Sequence, residues 1–214
     1  MDYNNKSETY YKNSRPEMLS SFPSDAKTVL DVGCGEGDFA MSIKKLFKTE
    51  TWGIEYMTEA GTIAKNKLDN VLIGPCENFI DELPDNYFDV IYFNDVLEHL
   101  VDPYEVLKKI KSKLSKNGVI ISSIPNIRYH SAIKMLLFKK DWKYEKSGVM
   151  DKTHLRFFTK KSIRRMYEDL GFKILSHKGI NKTKSIKPYV FNLVFMFTAT
   201  DMFYVQYKTI VSLK

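Results

Sequence analysis

The sequence is poor in cysteine and has no long hydrophobic run, and each absence excludes a class of protein. Only two of its 214 residues are cysteines, Cys34 and Cys76, and their spacing fits neither a disulfide framework nor a set of zinc ligands. The apolar segment 189–200 is too short for a membrane span. The residues after Met1 do not resemble a signal peptide. We therefore expect a cytoplasmic protein with no metal site.

The hydrophobic content is 43%, which is typical of a globular protein with a substantial core. A chain of this length fits one domain, and we expect residues 1–214 to form it. The polar residues 1–24 precede the first apolar run and are expected to form an N-terminal lid helix.

Charge is divided unevenly along the chain. Residues 1–107 hold 9 Lys and Arg against 20 Asp and Glu, whereas residues 108–214 hold 24 against 6. This imbalance indicates that the second half meets an anionic partner, such as a phosphorylated substrate, a membrane surface or nucleic acid. The alternative is that the lysines only solvate helix surfaces.

The most informative motif is the glycine-rich turn VLDVGCGEGDF at residues 29–39. It reads as a strand, a tight turn and a helix start, with Gly33, Gly35 and Gly37 at alternate positions. A dinucleotide fingerprint would be G-x-G-x-x-G. Asp31, two residues before the first glycine, would repel a pyrophosphate but suits an amino group or ribose hydroxyls. The turn therefore favours S-adenosylmethionine, and a turn without a ligand is the alternative.

Strand and helix patterns alternate along most of the chain. Apolar runs predict strands near residues 29–32, 51–55, 70–74, 88–93, 119–124, 172–176 and 204–211. Helical spacing follows the glycine turn and recurs over residues 58–68 and 160–170. Another helix begins after Asp102, with Pro103 in its first turn, and is expected to end at Asn117 and Gly118. This alternation predicts an α/β fold with a doubly wound parallel sheet.

The pattern breaks at residues 126–158, which form a long insertion with a predicted helix through Met135 and Leu136. A connection of this length is typical of a cover that faces substrate. The apolar segment 189–200 is expected to be a last helix packed in the core, with peripheral membrane contact as the alternative.

Two further signals follow predicted strands. Glu55 ends the second strand about twenty residues after the glycine turn, where a carboxylate can hold a ribose diol. The polar segment 94–99 follows the fourth strand, beside the crevice expected in such a sheet.

Four segments together resemble the class I S-adenosylmethionine-dependent methyltransferases. They are VLDVGCGEGDF, the acid of WGIEY, FDVIYFNDVLEHLVDP and LSKNGVIISSIPN, and the similarity spans residues 10–211. The resemblance implies a Rossmann-like seven-stranded sheet whose last strand is antiparallel. The run GVMDKTHLRFFT resembles a bacterial subgroup linked to glycan biosynthesis.

The family resemblance also implies residue roles, with S-adenosylhomocysteine as the product. The implied cofactor-binding residues are Asp31 for the amino group, Gly33, Cys34 and Gly35 for the methionine part, Glu55 for the ribose, Tyr56, Met57, Cys76 and Glu77 for the adenine, and Asn94, Asp95 and Val96 at the methyl-transfer site. Many members carry an acid where this chain has Pro75, so the adenine contacts depend on Cys76 or Glu77.

A hydroxyl acceptor benefits from a general base, and histidine is the natural candidate. We predict His99 for this role by its proximity and His154 for contact with the acceptor, against the alternative that each is structural. The other predicted acceptor-binding residues are Tyr11 and Arg15 in the lid and Arg128, Tyr129 and Arg156 in the insertion. Arginine suits phosphate, so we expect O-methylation of an anionic acceptor, a nucleotide-sugar or lipid-linked glycan.

Two alternatives remain open at this point. A quinone or other small-metabolite methyltransferase would share the same cofactor half. A non-catalytic binding subunit with this fold would keep the glycines and acids but transfer no methyl group. Nucleic acid is not expected as the acceptor, because no Asn-Pro-Pro-Tyr type run follows the fourth strand. The oligomeric state is left undetermined by the sequence.

Overall fold

The computed structural model describes residues 15–214, so the predicted lid residue Tyr11 lies outside it. The seven strands are β1 (Thr28–Val32), β2 (Glu50–Glu55), β3 (Asn70–Ile73), β4 (Phe88–Asn94), β5 (Leu114–Pro125), β6 (Phe172–Lys182) and β7 (Tyr204–Leu213). The α-helices are α1 (Pro16–Leu19), α2 (Asp38–Phe47), α3 (Thr58–Ala64), α4 (Pro103–Ile110), α5 (His130–Phe138), α6 (Lys160–Asp169) and α7 (Lys187–Val194).

The strands form one sheet in the order β3-β2-β1-β4-β5-β7-β6. The first five strands in the chain pair in parallel, and β7 inserts antiparallel between β5 and β6. The predicted fold class, a Rossmann-like doubly wound sheet with an antiparallel last strand, is confirmed. The strand order reverses between β1 and β4, and in open sheets of this kind ligands bind outside the carboxyl ends of the strands at that point.

The core lies on both faces of the central strands. Phe88, Val90, Ile91, Tyr92 and Phe93 of β4 are all fully buried, as expected for a strand covered by helices on both sides. The strand is apolar from Val90 to Phe93, so its polar residues are Asp89 near its start and Asn94 at its end. This is why Asn94 and the residues after it meet the crevice.

Helix α4 begins as predicted but ends earlier. The Asp102 side chain accepts hydrogen bonds from the backbone N–H groups of Tyr104 and Glu105 at 3.0 and 3.1 Å. The predicted end at Gly118 is wrong, because α4 stops at Ile110 and β5 begins at Leu114. A Cβ at Gly118 would lie 2.6 Å from the backbone oxygen of Phe88, so glycine serves close strand packing there rather than a helix stop.

The insertion 126–158 is tied to the sheet at both ends. Asn126 forms a bridge with Phe158, and its side-chain amide donates to the backbone oxygens of Asp201 and Tyr204. Near its end, the N–H groups of Leu155 and Arg156 donate to the backbone oxygen of Glu98 at 2.9 and 3.0 Å. These bonds hold the end of the insertion against the segment that follows β4.

The segment around α7 does not pack as expected. Val190 and Leu193 are 68% and 66% exposed, and Met196 is 84% exposed, so the prediction of a core helix is wrong for these side chains. Asn192 is buried instead and ties α7 to the chain after it, because its amide donates to the backbone oxygen of Ala199 at 2.9 Å. Within residues 15–214, no helix is both long and apolar enough to cross a membrane.

Candidate active site

The glycine-rich turn joins β1 to α2 in the way that the motif requires. Gly33, Gly35 and Gly37 have φ angles of 74°, 57° and 82°, a region that residues with a Cβ rarely adopt. A Cβ at Gly33 would also lie 2.5 Å from Cγ2 of Val96 in the segment after β4. The turn therefore brings two strand ends together at one crevice.

Glu55 braces this turn from the end of β2. Its carboxylate accepts hydrogen bonds from the N–H of Gly35 at 2.8 Å and from the N–H of Met57 at 2.9 Å. Burial raises the pKa of Glu55, while these backbone hydrogen bonds oppose the rise. Each carboxylate oxygen can accept more than one hydrogen bond, so the group can hold the turn and still accept from a ribose hydroxyl.

Asp31 lies on β1 with only 2% of its surface exposed. Burial raises its pKa to about 7, and the nearby Arg15 guanidinium and the amide of Asn94 act in the opposite direction. The Asn94 amide donates to Asp31 at 3.5 Å, and the amide oxygen of Asn94 is buried with no hydrogen-bond partner among the described residues. A donor such as an ammonium group would satisfy both the carboxylate and this oxygen.

One cavity of about 470 Å³ unites the predicted cofactor residues. All twelve line it: Asp31, Gly33, Cys34, Gly35, Glu55, Tyr56, Met57, Cys76, Glu77, Asn94, Asp95 and Val96. The cradle of glycines, the two buried acids and the unpartnered Asn94 oxygen fit a ligand with an ammonium, a ribose and no phosphate. The individual roles of these residues stay predictions.

Arg15 reaches this cavity from the start of α1. Its guanidinium donates to Asp95 at 2.7 Å and to the hydroxyl of Ser123 at 3.2 Å. Asp95 also accepts from the hydroxyl of Ser123 at 3.1 Å and from the amide of Gln206 at 2.5 Å. Asp95 thus forms hydrogen bonds with residues from the start of α1, from β5 and from β7.

A second, smaller cavity of about 80 Å³ adjoins the first and shares Asp95 and His99 with it. His154, from the insertion, lines this cavity, and its ring centroid lies 4.8 Å from that of His99. Burial, assisted by the neighbouring His99, lowers the pKa of His154 to about 4, so its imidazole is neutral at pH 7. The structure therefore brings the two predicted histidines together, although 55 positions separate them in the chain.

Glu98 is the residue of this site that the sequence analysis missed. It is 1% exposed, and neither of its carboxylate oxygens has a hydrogen-bond partner in the described part of the chain. Burial, reinforced by the charge of Asp95, raises its pKa. The sequence did contain a signal for Glu98, because this acid stands beside a histidine in the segment that directly follows a buried strand.

The other predicted acceptor-binding residues of the insertion, Arg128, Tyr129 and Arg156, lie outside both cavities. Arg128 pairs with Asp201 at 2.5 Å, and Arg156 donates to the backbone oxygen of Val101 at 2.6 Å. Tyr129 packs against His130, with ring centroids 4.3 Å apart. None of these three lines either cavity.

The walls of the two cavities are strongly acidic. Their acidic residues are Asp31, Glu55, Glu77, Asp95, Glu98 and Asp151. Arg15 is the one Arg or Lys among the described residues that line them. The positive charge of the second half of the chain therefore does not extend into the site.

Comparison with known proteins agrees with the fold. A family model described as a methyltransferase domain matches residues 3–177. The ubiquinone biosynthesis O-methyltransferase of Hydrogenovibrio crunogenus is 26% identical over 182 residues, covering 82% of this chain and 74% of that protein. The tRNA U34 carboxymethyltransferase of Campylobacter jejuni is 29% identical over 54% of this chain and 47% of its own length.

Among solved structures, a SAM-dependent methyltransferase from Archaeoglobus fulgidus superposes with a TM-score of 0.70. That likeness covers 95% of this chain and 93% of the other at 20% identity, which supports the fold. The family model spans most of the sequence and includes the glycine turn, Asp31, Glu55 and the segment after β4. The chain therefore belongs to the class I S-adenosylmethionine-dependent methyltransferases.

Proposed function

We propose that the protein transfers the methyl group of S-adenosylmethionine to a hydroxyl oxygen of a small, uncharged acceptor with a quinone-type ring. The observation that carries this proposal is the acidic lining of the two cavities, where six carboxyl groups face one arginine. Within the described residues, such a lining offers a phosphate group one cation, Arg15, which already pairs with Asp95, so it favours the cationic cofactor over a phosphorylated acceptor.

The cofactor half of the proposal assigns each buried acid one contact. Asp31 and Asn94 hold the ammonium, Glu55 accepts from the ribose, and the Gly33 to Gly35 backbone lies along the methionine part. When bound, S-adenosylmethionine supplies an electrophilic methyl group on a sulfonium. The protein aligns this group with the acceptor oxygen and excludes water, because an in-line displacement gains most from positioning.

The name of one relative and the electrostatics of the site both favour the quinone-type acceptor. The Hydrogenovibrio crunogenus relative is named for O-methylation in ubiquinone biosynthesis. The glycan hypothesis depended on the subgroup resemblance and on the positive charge of Arg128, Lys139, Lys140 and Arg156. In this structure Arg128 engages Asp201 and Arg156 engages the Val101 backbone. These observations favour the quinone-type acceptor over a nucleotide-sugar or lipid-linked glycan.

An acceptor panel tests this choice. We expect turnover of an alkylated dihydroxybenzene and none of a nucleotide-sugar, measured as S-adenosylhomocysteine formation. The double variant Lys139→Gln and Lys140→Gln removes exposed charges of the insertion and should leave the acceptor KM unchanged. Turnover of phosphorylated sugars with a KM that rises in this variant would restore the glycan hypothesis. Binding of S-adenosylhomocysteine without turnover of any acceptor would favour a non-catalytic binding subunit.

We also propose that an apolar acceptor is met at an anionic lipid surface, through α7 and the end of α5. The two helices contact each other where the ring of Phe138 packs against the ring of Phe191, with centroids 5.8 Å apart. The exposed apolar side chains are Leu137, Phe138, Val190, Leu193, Met196 and Phe197, and nearby exposed lysines are Lys139, Lys140, Lys184 and Lys187. Apolar side chains beside lysines are typical of proteins that bind at a membrane interface.

Sedimentation with lipid vesicles measures this contact. We expect the protein to bind vesicles that contain anionic phosphatidylserine and to bind neutral phosphatidylcholine vesicles weakly. Leu193→Ser together with Met196→Ser should lower binding, while Leu46→Ser, an exposed leucine on α2, should not. Equal binding by both variants, or a stable dimer that the Leu193 and Met196 changes dissociate, would contradict a lipid surface as the occupant.

A further inference from the structure

We propose that Glu98, His99 and His154 bind a divalent transition-metal ion at the junction of the two cavities. All three residues are buried, and one potential ligand atom of each lies within 4.8 Å of the others. The metal site itself is independent of the proposed function, and only its role toward the acceptor rests on that proposal. It departs from the sequence-based expectation of no metal, which considered the spacing of cysteines.

The backbone orients both imidazoles for this purpose. Nδ1 of His99 lies 3.0 Å from the backbone oxygen of Thr153, and Nδ1 of His154 lies 3.1 Å from that of Val149. A carbonyl oxygen only accepts hydrogen bonds, so each Nδ1 carries a proton, and in the neutral imidazole Nε2 then carries a lone pair that can bind a metal. A histidine whose second nitrogen donates to a carbonyl is the usual arrangement of a metal ligand.

Glu98 provides the negative charge. A buried carboxyl group normally finds hydrogen-bond donors, yet both oxygens of Glu98 have none among the described residues. Oε1 lies 3.9 Å from Nε2 of His154, too far for a hydrogen bond. A metal ion with ligands at about 2.1 Å separates tetrahedral ligand atoms by about 3.4 Å, so a small side-chain rotation closes the site.

The neighbouring acids have other partners. Asp95 is engaged by Arg15, Ser123 and Gln206, and Asp151 accepts from the N–H and hydroxyl of Thr153 at 2.9 and 2.7 Å. Three protein ligands therefore remain, which leaves coordination positions for water or an acceptor. Two imidazoles and one carboxylate suit Zn²⁺, Mn²⁺ or Fe²⁺ better than Ca²⁺ or Mg²⁺, which prefer oxygen ligands.

The position of this site gives the metal a role in methyl transfer. His99 lines both cavities, so a cation beside it adjoins the cofactor cavity. An acceptor hydroxyl bound to the cation has a lowered pKa and loses its proton to water. The oxygen then forms a bond to the methyl carbon, the carbon–sulfur bond breaks with its electron pair on sulfur, and S-adenosylhomocysteine leaves. In this arrangement His99 is a metal ligand rather than the general base expected from the sequence.

Metal titration of the untagged full chain tests the site without any acceptor. After removal of metals with a chelator, we expect calorimetry with ZnCl₂ and with MnCl₂ to show one saturable site per chain. The Mn²⁺ complex should give an electron spin echo signal from imidazole nitrogen. Absence of saturable binding of either ion by the folded protein would overturn the proposal.

Variants locate the site. We expect His154→Gln and Glu98→Gln each to weaken metal binding at least about 100-fold, since substitution of an outer-shell partner alone costs 10- to 100-fold. His177→Gln, at a partly buried histidine on β6 that bonds to Thr209, should bind metal as the unchanged protein does. Retained affinity for S-adenosylhomocysteine shows that each variant is folded. If neither site variant folds, the electron spin echo signal of the Mn²⁺ complex of the unchanged protein decides whether imidazole nitrogen binds the metal.

Unchanged metal affinity in folded Glu98→Gln and His154→Gln proteins would overturn the assignment. If the metal binds and chelation abolishes turnover of the dihydroxybenzene without altering affinity for S-adenosylhomocysteine, the role in methyl transfer is supported. If the metal binds and no quinone-type acceptor turns over, the acceptor proposal fails while the metal site stands.

Discussion

Replacement of Asp31 by asparagine is expected to weaken S-adenosylhomocysteine binding by roughly 30-fold to several thousand-fold. Loss of one partner of a buried, hydrogen-bonded charge pair costs about 2 to 5 kcal/mol, and Asp31 is the buried acid that faces Asn94 across the crevice. The substitution keeps the shape of the side chain, so the loss reports on the charge. Isothermal calorimetry with S-adenosylhomocysteine measures it.

The free protein should tolerate this substitution. Because burial raises the pKa of Asp31, its ionisation opposes folding, and this destabilisation grows as the pH rises from about 4 to about 7. Thermal unfolding at pH 8 should therefore show Asp31→Asn to be at least as stable as the unchanged protein. Asp81→Asn, at an exposed acid paired with Lys109, is the matched control and should alter neither property. Equal affinity of the Asp31 and Asp81 variants would remove Asp31 from the cofactor site.

The same carboxyl group gives cofactor binding a pH dependence. With a pKa of about 7, Asp31 holds a proton at pH 6 in the free protein. An ammonium beside it favours the carboxylate, so binding at pH 6 should release a proton, and affinity should fall about tenfold per pH unit below 7. Calorimetry in buffers of different ionisation enthalpy counts the proton, and Asp31→Asn should abolish this release.

The second large effect is expected for Gly33→Ala. Alanine at a φ of 74° is strained by about 1 kcal/mol, and its Cβ would lie 2.5 Å from Cγ2 of Val96, an overlap that costs about 1 to 3 kcal/mol more. Relief of this overlap would push the turn or the segment after β4 out of place. We expect the free energy of unfolding to fall by about 2 to 4 kcal/mol and S-adenosylhomocysteine affinity to fall at least about tenfold.

Two further variants separate strain from overlap. Gly171 has a φ of 77°, but its added Cβ would meet Lys111 Nζ at an ordinary 3.5 Å, so Gly171→Ala should lose only about 1 kcal/mol and keep its affinity. Val96→Ala combined with Gly33→Ala removes the overlapping methyl group and should restore part of the lost stability. If the Gly33 and Gly171 variants behave alike, the close contact with Val96 has no part in the site.

Local patterns predicted the sheet, and the residues that they assigned to the cofactor line one cavity. Strand β4 is apolar from Val90 to Phe93, α4 begins at the Asp102 and Pro103 signal, and the alternation of strands and helices leads to a doubly wound sheet. Parallel strands place their carboxyl ends at one edge, so Asp31, Glu55 and Asn94 could be assigned to one crevice from their strand positions.

Two errors arose where a contact outside the local pattern decides the structure. Asn117 and Gly118 resemble a helix stop, but the backbone oxygen of Phe88 on the neighbouring strand requires glycine there. The apolar segment 189–200 resembles a core helix, but Asn192 is buried while Val190, Leu193, Met196 and Phe197 are exposed. In the first case the deciding contact is with a residue thirty positions earlier in the sequence. In the second, the deciding residue, Asn192, lies outside the apolar pattern of the helix.

The glycine turn, the acids Asp31 on β1 and Glu55 on β2, and the strand order thus follow from patterns within short segments, because each depends on backbone conformation and on the period of the apolar residues. The meeting of Glu98, His99 and His154 does not, because it depends on how the insertion folds back on the segment after β4. The pairing of Arg128 with Asp201 likewise joins residues 73 positions apart. Side chains brought together by such long-range contacts decide the charges around the second cavity, on which the proposed acceptor and the proposed metal depend.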